Sequence, residues 1–295
     1  MWILVVTIGY LLNGASSVIN KSLLNKDIPN PVVYTFYITL LGLFVFVLAP
    51  FGFTWIGLNM FLISCLAGIL FTFGLLFMFI ALAKDEVSRV TPLIGGLQPI
   101  FVFALAFFLL DERLLFNQIL AFILILIGGI LITVQSGKST KAQAKMFWLS
   151  VLSSFLFAAS FVLTKYVFNN VDFISGFIWI RIGSFIAAAI FLLSPKQRKA
   201  IFHNTGNAKK GVGLAFILGQ GAGALSFIMI NWAISLGSVT LVNAMQGLQY
   251  VFLFIIIAFL ARKYPDWLGE DMSRNIVIQK VIAILLIAVG MYFIV

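Results

Sequence analysis

The sequence predicts an all-α integral membrane protein: about ten transmembrane helices, arranged as two inverted five-helix repeats. Three observations carry this reading. The 295 residues are 62% hydrophobic and only 9% charged, too little charge to cover a soluble domain of that length. Uncharged apolar runs recur along the whole chain, without the apolar–polar alternation of a membrane β-strand. One stretch also occurs twice: Gly96-Leu97-Gln98-Pro99-Ile100-Phe101-Val102-Phe103 returns 151 positions later as Gly247-Leu248-Gln249-Tyr250-Val251-Phe252-Leu253-Phe254.

In chain order the spans read Trp2–Leu23, Val32–Pro50, Trp55–Leu82, Val87–Leu109, Phe116–Val134, Phe147–Phe168, Ile174–Leu193, Val212–Ser235, Val239–Leu260 and Ile276–Ile294. Each is near the roughly 20 residues that a bilayer core requires. The first carries a polar stripe, with Asn13, Ser16, Ser17 and Asn20 on one helical face. The third ends at the polar turn Lys84-Asp85-Glu86, and the fourth at Asp111-Glu112-Arg113. The sixth reuses the first: Ala159-Ser160-Phe161-Val162-Leu163-Thr164-Lys165 answers Ala15-Ser16-Ser17-Val18-Ile19-Asn20-Lys21, 144 positions on.

The first repeat is therefore residues 1–136, the basic stretch 137–145 is a linker, and residues 146–295 form the second repeat. Five spans is an odd number, so the second repeat enters the membrane from the opposite side. Matching halves with polar groups at matching depths are the mark of a secondary transporter. Pro195–Lys210 reads as the longest basic loop, and Tyr264–Arg274 as a polar loop.

The formal net charge is +10. The basic residues lie mostly in short loops between spans, which is the positive-inside pattern and offers no nucleic-acid surface. Counted literally, the loops after odd-numbered spans are cytoplasmic and both termini face outward. The first apolar run starts at Trp2 without a basic n-region, so no cleavable signal is expected. Cys65 is the only cysteine, which leaves no intrachain disulfide.

Among candidate functional groups, Arg181 is the most informative. It lies inside an apolar span, where a guanidinium is expensive and faces the bundle interior, a partner or a wet cavity. Its bland alternative is an arginine tied to backbone carbonyls. Gln98 sits in a span with Pro92, Gly95, Gly96 and Pro99, residues that free carbonyls and admit close approach. Its counterpart presents Asn243, Gln246, Gly247, Gln249 and Tyr250. Trp179, Trp232 and Tyr37 line a cavity or pack against lipid, and periodicity does not choose between these. Gly219–Ala224 resembles a phosphate loop only on the surface. No strand precedes it and no Lys follows, so close helix packing is the better reading. The polar stripe of the first span is likewise open to the reading of interhelical glue.

Absences narrow the classes. No acidic residue lies at mid-span, so the interior charge is positive and favours an anionic or zwitterionic solute. The single histidine, His203, falls in a basic loop, which excludes a metal cluster on ligand count. No nucleophile–base set can be assembled, so no catalytic residue and no cofactor is expected.

Taken in order, these motifs resemble the EamA-like ten-helix members of the drug/metabolite transporter superfamily. The resemblance rests on the Ala-Ser-x-Val-x-x-Lys element of each half, Ala81-Leu82, and Val90-Thr91-Pro92-Leu93 continuing to Pro99-Ile100. Leu110-Asp111-Glu112 resembles the family's Leu-Gly-Glu turn, and Gly128-Gly129-Ile130-Leu131-Ile132 its glycine-containing fifth helix. The second half departs from the pattern, with Leu241 in place of Pro92 and Ala261-Arg262-Lys263 in place of the acidic turn. The resemblance implies export or exchange of small metabolites by alternating access in the cell membrane, and cytoplasmic termini, against the charge count.

The substrate-binding residues expected on this reading are Asn13, Ser16, Asn20, Gln98, Arg181, Asn243 and Gln246, lining a central cavity between the repeats. The expected partners are a small-molecule substrate and the lipid bilayer, with no nucleic acid, in a monomer or weak homodimer. Two rivals fit the same residues: a multidrug or lipid-linked-sugar translocator on this scaffold, and a non-transporting membrane scaffold.

Overall fold

Backbone groups in hydrocarbon must be satisfied within their own segment, and every regular element among the described residues is helical. The computed structural model describes residues 1–24, 30–83, 87–133, 141–203, 212–263 and 274–294. In order the helices are α1 (Trp2–Leu24), α2 (Pro31–Leu41), α3 (Leu58–Leu82), α4 (Val87–Leu109), α5 (Phe116–Thr133), α6 (Lys141–Asn170), α7 (Phe173–Ile190), α8 (Pro195–His203), α9 (Val212–Leu236), α10 (Val239–Ala244), α11 (Gly247–Lys263) and α12 (Arg274–Ile294). Four segments among the described residues are long and apolar enough to cross a membrane: Pro31–Phe51, Leu58–Leu82, Lys145–Asn170 and Phe173–Leu193. Trp2–Ser17, Leu93–Leu109, Phe116–Leu131 and Ile278–Phe293 are shorter apolar helices.

Four expectations change in detail. The second span is α-helical only as far as Leu41 and continues as a 3-10 helix over Gly42–Phe51. Pro50 has no amide hydrogen for the last turn, and Gly52, at φ 132, ends the segment. The ninth span is broken at Met245 and Gln246. There the amides of Gln246, Leu248 and Gln249 reach back three residues instead of four, at 2.9–3.1 Å. The loop expected from Pro195 opens as a helix, because proline in the first turn lacks only an amide that the helix leaves unused. The 137–145 linker is helical from Lys141. The polar turn at 84–86 and the loop residues 204–211 and 264–273 lie outside the described residues.

The helices gather into two compact units, each drawing on both halves of the sequence. The first takes residues 1–27, 113–136 and 209–295; the second takes 28–112 and 137–208. In the first unit α1 lies along α9 and α11, and α5 packs on α12 and α11. Lipid tails are as apolar as leucine, so this packing depends on small residues that admit close contact. A Cβ on Gly128 would meet the Ala283 carbonyl at 2.8 Å, and one on Gly290 would meet the Ala121 carbonyl at 3.1 Å.

In the second unit α3 packs against both α6 and α7, α4 lies on α6, and α2 crosses α3 and α7. A Cβ on Gly68 would collide with the Ile180 carbonyl and the Ser184 amide, and one on Gly183 would collide with Cys65. The α3–α7 crossing is thus backbone against backbone. Ser184 and Thr72 close it with hydroxyl bonds: Ser184 Oγ to the Gly68 carbonyl at 3.1 Å, and Thr72 Oγ1 to the Ser184 carbonyl at 3.0 Å.

The turn after α4 holds Asp111 at φ 53, with the Glu112 amide bonded back to the Ala106 carbonyl at 3.2 Å. A residue in this left-handed conformation is the ordinary helix stop, and glycine is its natural occupant. The Leu-Gly-Glu turn that Leu110-Asp111-Glu112 resembles therefore has a backbone reason for its glycine. Asp111→Gly is expected to raise stability by about 1 kcal/mol. Thermal unfolding of the detergent-solubilised variant checks this, and a lowered midpoint would contradict it.

Candidate functional site

In the first unit the polar groups of α1 face the broken α10–α11 segment. Asn13 Nδ2 donates to Gln249 Oε1 at 2.9 Å, Gln249 Nε2 to Ser17 Oγ at 3.3 Å, and Ser17 Oγ to the Asn13 carbonyl at 2.8 Å. The ring of bonds puts Gln249 opposite the stripe that the first span's periodicity marked. Gly14 makes room for it: a Cβ there would lie 3.2 Å from the Gln249 carbonyl.

The break itself has a chemical consequence. In a regular helix the Val242 carbonyl would accept from the Gln246 amide, but that amide turns to Asn243 at 3.1 Å. Tyr10, nearly buried on α1, donates its hydroxyl to the Val242 carbonyl at 2.9 Å and satisfies the freed acceptor. Nothing in the order of the sequence paired Tyr10 with Val242, 232 residues away. Asn243 is buried and folds back on the Val239 carbonyl at 2.8 Å. Gln246, at the break, has a buried Oε1 that accepts no hydrogen bond. Gly129 and Gly247 let the backbones of α5 and α11 touch beside it, a Cβ on either meeting the other's Cα at 3.3–3.4 Å. Tyr10→Phe keeps the ring and orphans the Val242 carbonyl. It is expected to cost about 1 kcal/mol, read as a lower unfolding midpoint.

Ser16 is committed to helix contact, its hydroxyl donating to the Gly219 carbonyl at 2.8 Å. Gly223 keeps the approach open, since a Cβ there would crowd Ser16 Oγ at 2.9 Å. The glycine-rich run of the eighth span is therefore a packing surface for α1. The second unit repeats the bond: Ser160 donates to the Ala67 carbonyl at 2.8 Å. Ser160 is the residue aligned with Ser16. The α1–α9 pairing thus has its counterpart in α6–α3.

Arg181 lies in the second unit on α7, 7% exposed. Its Cζ stands 4.7 Å from the centre of the Phe71 ring and 5.6 Å from that of Phe177. The Arg181 stem also passes Gly42, where a Cβ would be in ordinary contact with Arg181 Cδ at 3.6 Å. Both rings are close enough to offer the guanidinium cation–π contact. Gln98 is also in this unit, buried in α4. The side chain of Asn20 lies outside the described residues.

The sequence reading missed two groups. Lys280 is buried on α12, and Gln279 beside it donates to the Leu131 carbonyl at 2.6 Å. Lys280 stands inside the Ile276–Ile294 span, where a lysine is itself a signal. Trp179 belongs to neither alternative alone: its Nε1 bonds the Thr54 carbonyl at 3.0 Å within a cluster of Phe53, Trp55 and Phe61. Ser175 ties the same loop down, accepting from the Thr54 amide at 2.9 Å. Among the described residues no group of His, Cys, Asp and Glu is placed to hold a metal.

A membrane chain with a polar-faced first helix, a broken ninth span and a buried arginine meets its match here. Residues 1–134 match the EamA-like transporter family, of the drug/metabolite transporter superfamily. The first part of the chain is thus similar to that transporter family, and the chain as a whole is an all-α protein with several segments long and apolar enough to cross a membrane. A solved crystal structure, described only as that of a protein, shares the fold of this chain. It has a TM-score of 0.70 at 15% identity, over 98% of this chain and 94% of that one. No curated protein matches the chain.

Proposed function

We propose that the protein is a secondary transporter that exports or exchanges small zwitterionic or anionic metabolites, amino acids among them, by alternating access. The broken helix α10–α11 carries this reading, because discontinuous helices are where transporters place binding groups. Gln246, with its unbonded buried acceptor at the break, is the group available to a solute donor. Asn13, Asn20 and Asn243 are further proposed solute-binding groups, with Ser16 as an acceptor only, since its hydroxyl hydrogen goes to Gly219, and Gln98 and Arg181 are proposed in the second unit. Arg181 supplies the positive charge that selects an anion or zwitterion. The paired bonds of Ser16 and Ser160 support two inverted repeats, 1–136 and 146–295. So does the end of the family match, at residue 134.

The experiment is a thermal-shift screen of the purified transporter against amino acids, organic acids, nucleotide sugars and cationic dyes. A ligand that binds the native state at about 100 times its Kd adds about 2.7 kcal/mol of stability. The expected result is stabilisation by one zwitterionic or anionic class, diminished in Gln246→Leu. Stabilisation by dyes alone would replace this reading with a multidrug one.

A further inference from the structure

The helix α8, which follows the Phe173–Leu193 span, is pinned to the second unit by one face and leaves the other exposed. Ile201 is fully buried in a cluster with Val33, Phe36 and Ala188, flanked by Tyr37, Phe191 and Leu192. Tyr37 donates its hydroxyl to the Ile201 carbonyl at 2.9 Å, and Asn30 Nδ2 donates to Gln197 Oε1 at 3.4 Å. These contacts set the rotation of a short helix that propensity alone would not hold.

With that rotation set, Lys196, Arg198 and Lys199 are exposed, as are the apolar side chains of Leu193, at 80%, and Phe202, at 59%. No acidic residue lies in the helix. The helix starts two residues beyond the end of a span, so it cannot leave the membrane–water boundary. Cations and apolar groups exposed together at that depth have one partner that satisfies both: phosphate headgroups above and acyl chains below.

We propose that α8 is an anionic-lipid binding helix. Lys196, Arg198 and Lys199 contact lipid phosphates while Leu193 and Phe202 enter the acyl boundary. Because Ile201 and Tyr37 couple α8 to α2 and α7, lipid bound here stabilises the second unit. Each basic residue near an anionic surface is worth about fivefold in binding, so the three together account for roughly a hundredfold, weakened by salt.

The test reconstitutes the full chain in nanodiscs of phosphatidylcholine alone, or of phosphatidylcholine with phosphatidylglycerol, and follows thermal unfolding. The native chain is expected to melt higher in the anionic discs, and added salt to shrink the difference. The triple variant K196Q/R198Q/K199Q is expected to lose most of it, and Phe202→Ser part of it. The charge-matched variant K138Q/K141Q/K145Q is expected to retain it. A native chain indifferent to phosphatidylglycerol overturns the proposal, as does an equal loss in both triple variants. An equal rise on adding inorganic phosphate to the neutral discs would also overturn it, since the site would then be an anion site and not a membrane one. Lys196, Arg198, Lys199 and Phe202 are exposed and their substitution leaves Ile201 in place, so those variants are expected to fold.

Discussion

Gly183→Val is expected to abolish folding of the protein, and Gly68→Val to do the same. The side chain at either position would be driven into the backbone of the opposite helix: Gly183 against the Cα and carbonyl of Cys65, Gly68 against Ile180 and Ser184. Flexible side chains could give way to a new methyl group, but two helix backbones can only separate. Separation would break both Ser184 Oγ–Gly68 and Thr72 Oγ1–Ser184 and leave their buried carbonyls unsatisfied. Overpacking costs about 1–3 kcal/mol, and the lost bonds about 1 kcal/mol each. That sum is comparable with the whole stability of a domain. Fluorescence-detected size exclusion after expression reads the result. A monodisperse Gly183→Val peak at the native yield would refute the backbone crossing. Gly221→Ala is the control, since a Cβ there meets nothing within 4 Å.

Arg181→Met is expected to eliminate transport while leaving the fold intact or more stable. Burying a guanidinium costs desolvation, and an apolar residue of similar volume in its place is often neutral or stabilising. Methionine fills much the same volume against Phe71 and needs no solvation. A residue whose removal relieves the fold is retained for something else, and charge selection of the solute is the role proposed for it. Arg181→Lys keeps the charge without the planar fork and is expected to transport weakly. Uptake or efflux in proteoliposomes, set beside the unfolding midpoint, separates the outcomes. Normal transport by Arg181→Met would remove Arg181 from the binding role. Loss of folding together with transport would make it a structural arginine.

Much of this was readable along the chain. Apolar runs of the right length have no other stable home than a helix in hydrocarbon, so the all-α membrane class followed from composition. The repeated Ala-Ser-x-Val-x-x-Lys element also pointed to corresponding helices, and the matched bonds of Ser16 and Ser160 lie within it. The Gly219–Ala224 run was readable as a close helix contact, and a Cβ on Gly223 would crowd Ser16 Oγ.

Other features were decided only by the tertiary structure. The halves of the sequence are not the packing units, because helices choose partners by surface fit and not by chain order. The stop in the ninth span was invisible to hydropathy, which averages over Met245 and Gln246 and is blind to a three-residue hydrogen bond. Its cost is met by Tyr10, a partner 232 residues away that no local pattern could name. The helix α8 was read as loop because its charges dominate a short window, and a single buried Ile201 holds it. Composition and the length of the apolar runs thus determined the all-α membrane class. Which polar groups are spent on holding helices together and which stay available to a solute depended on contacts between distant segments, and only their packing decided it.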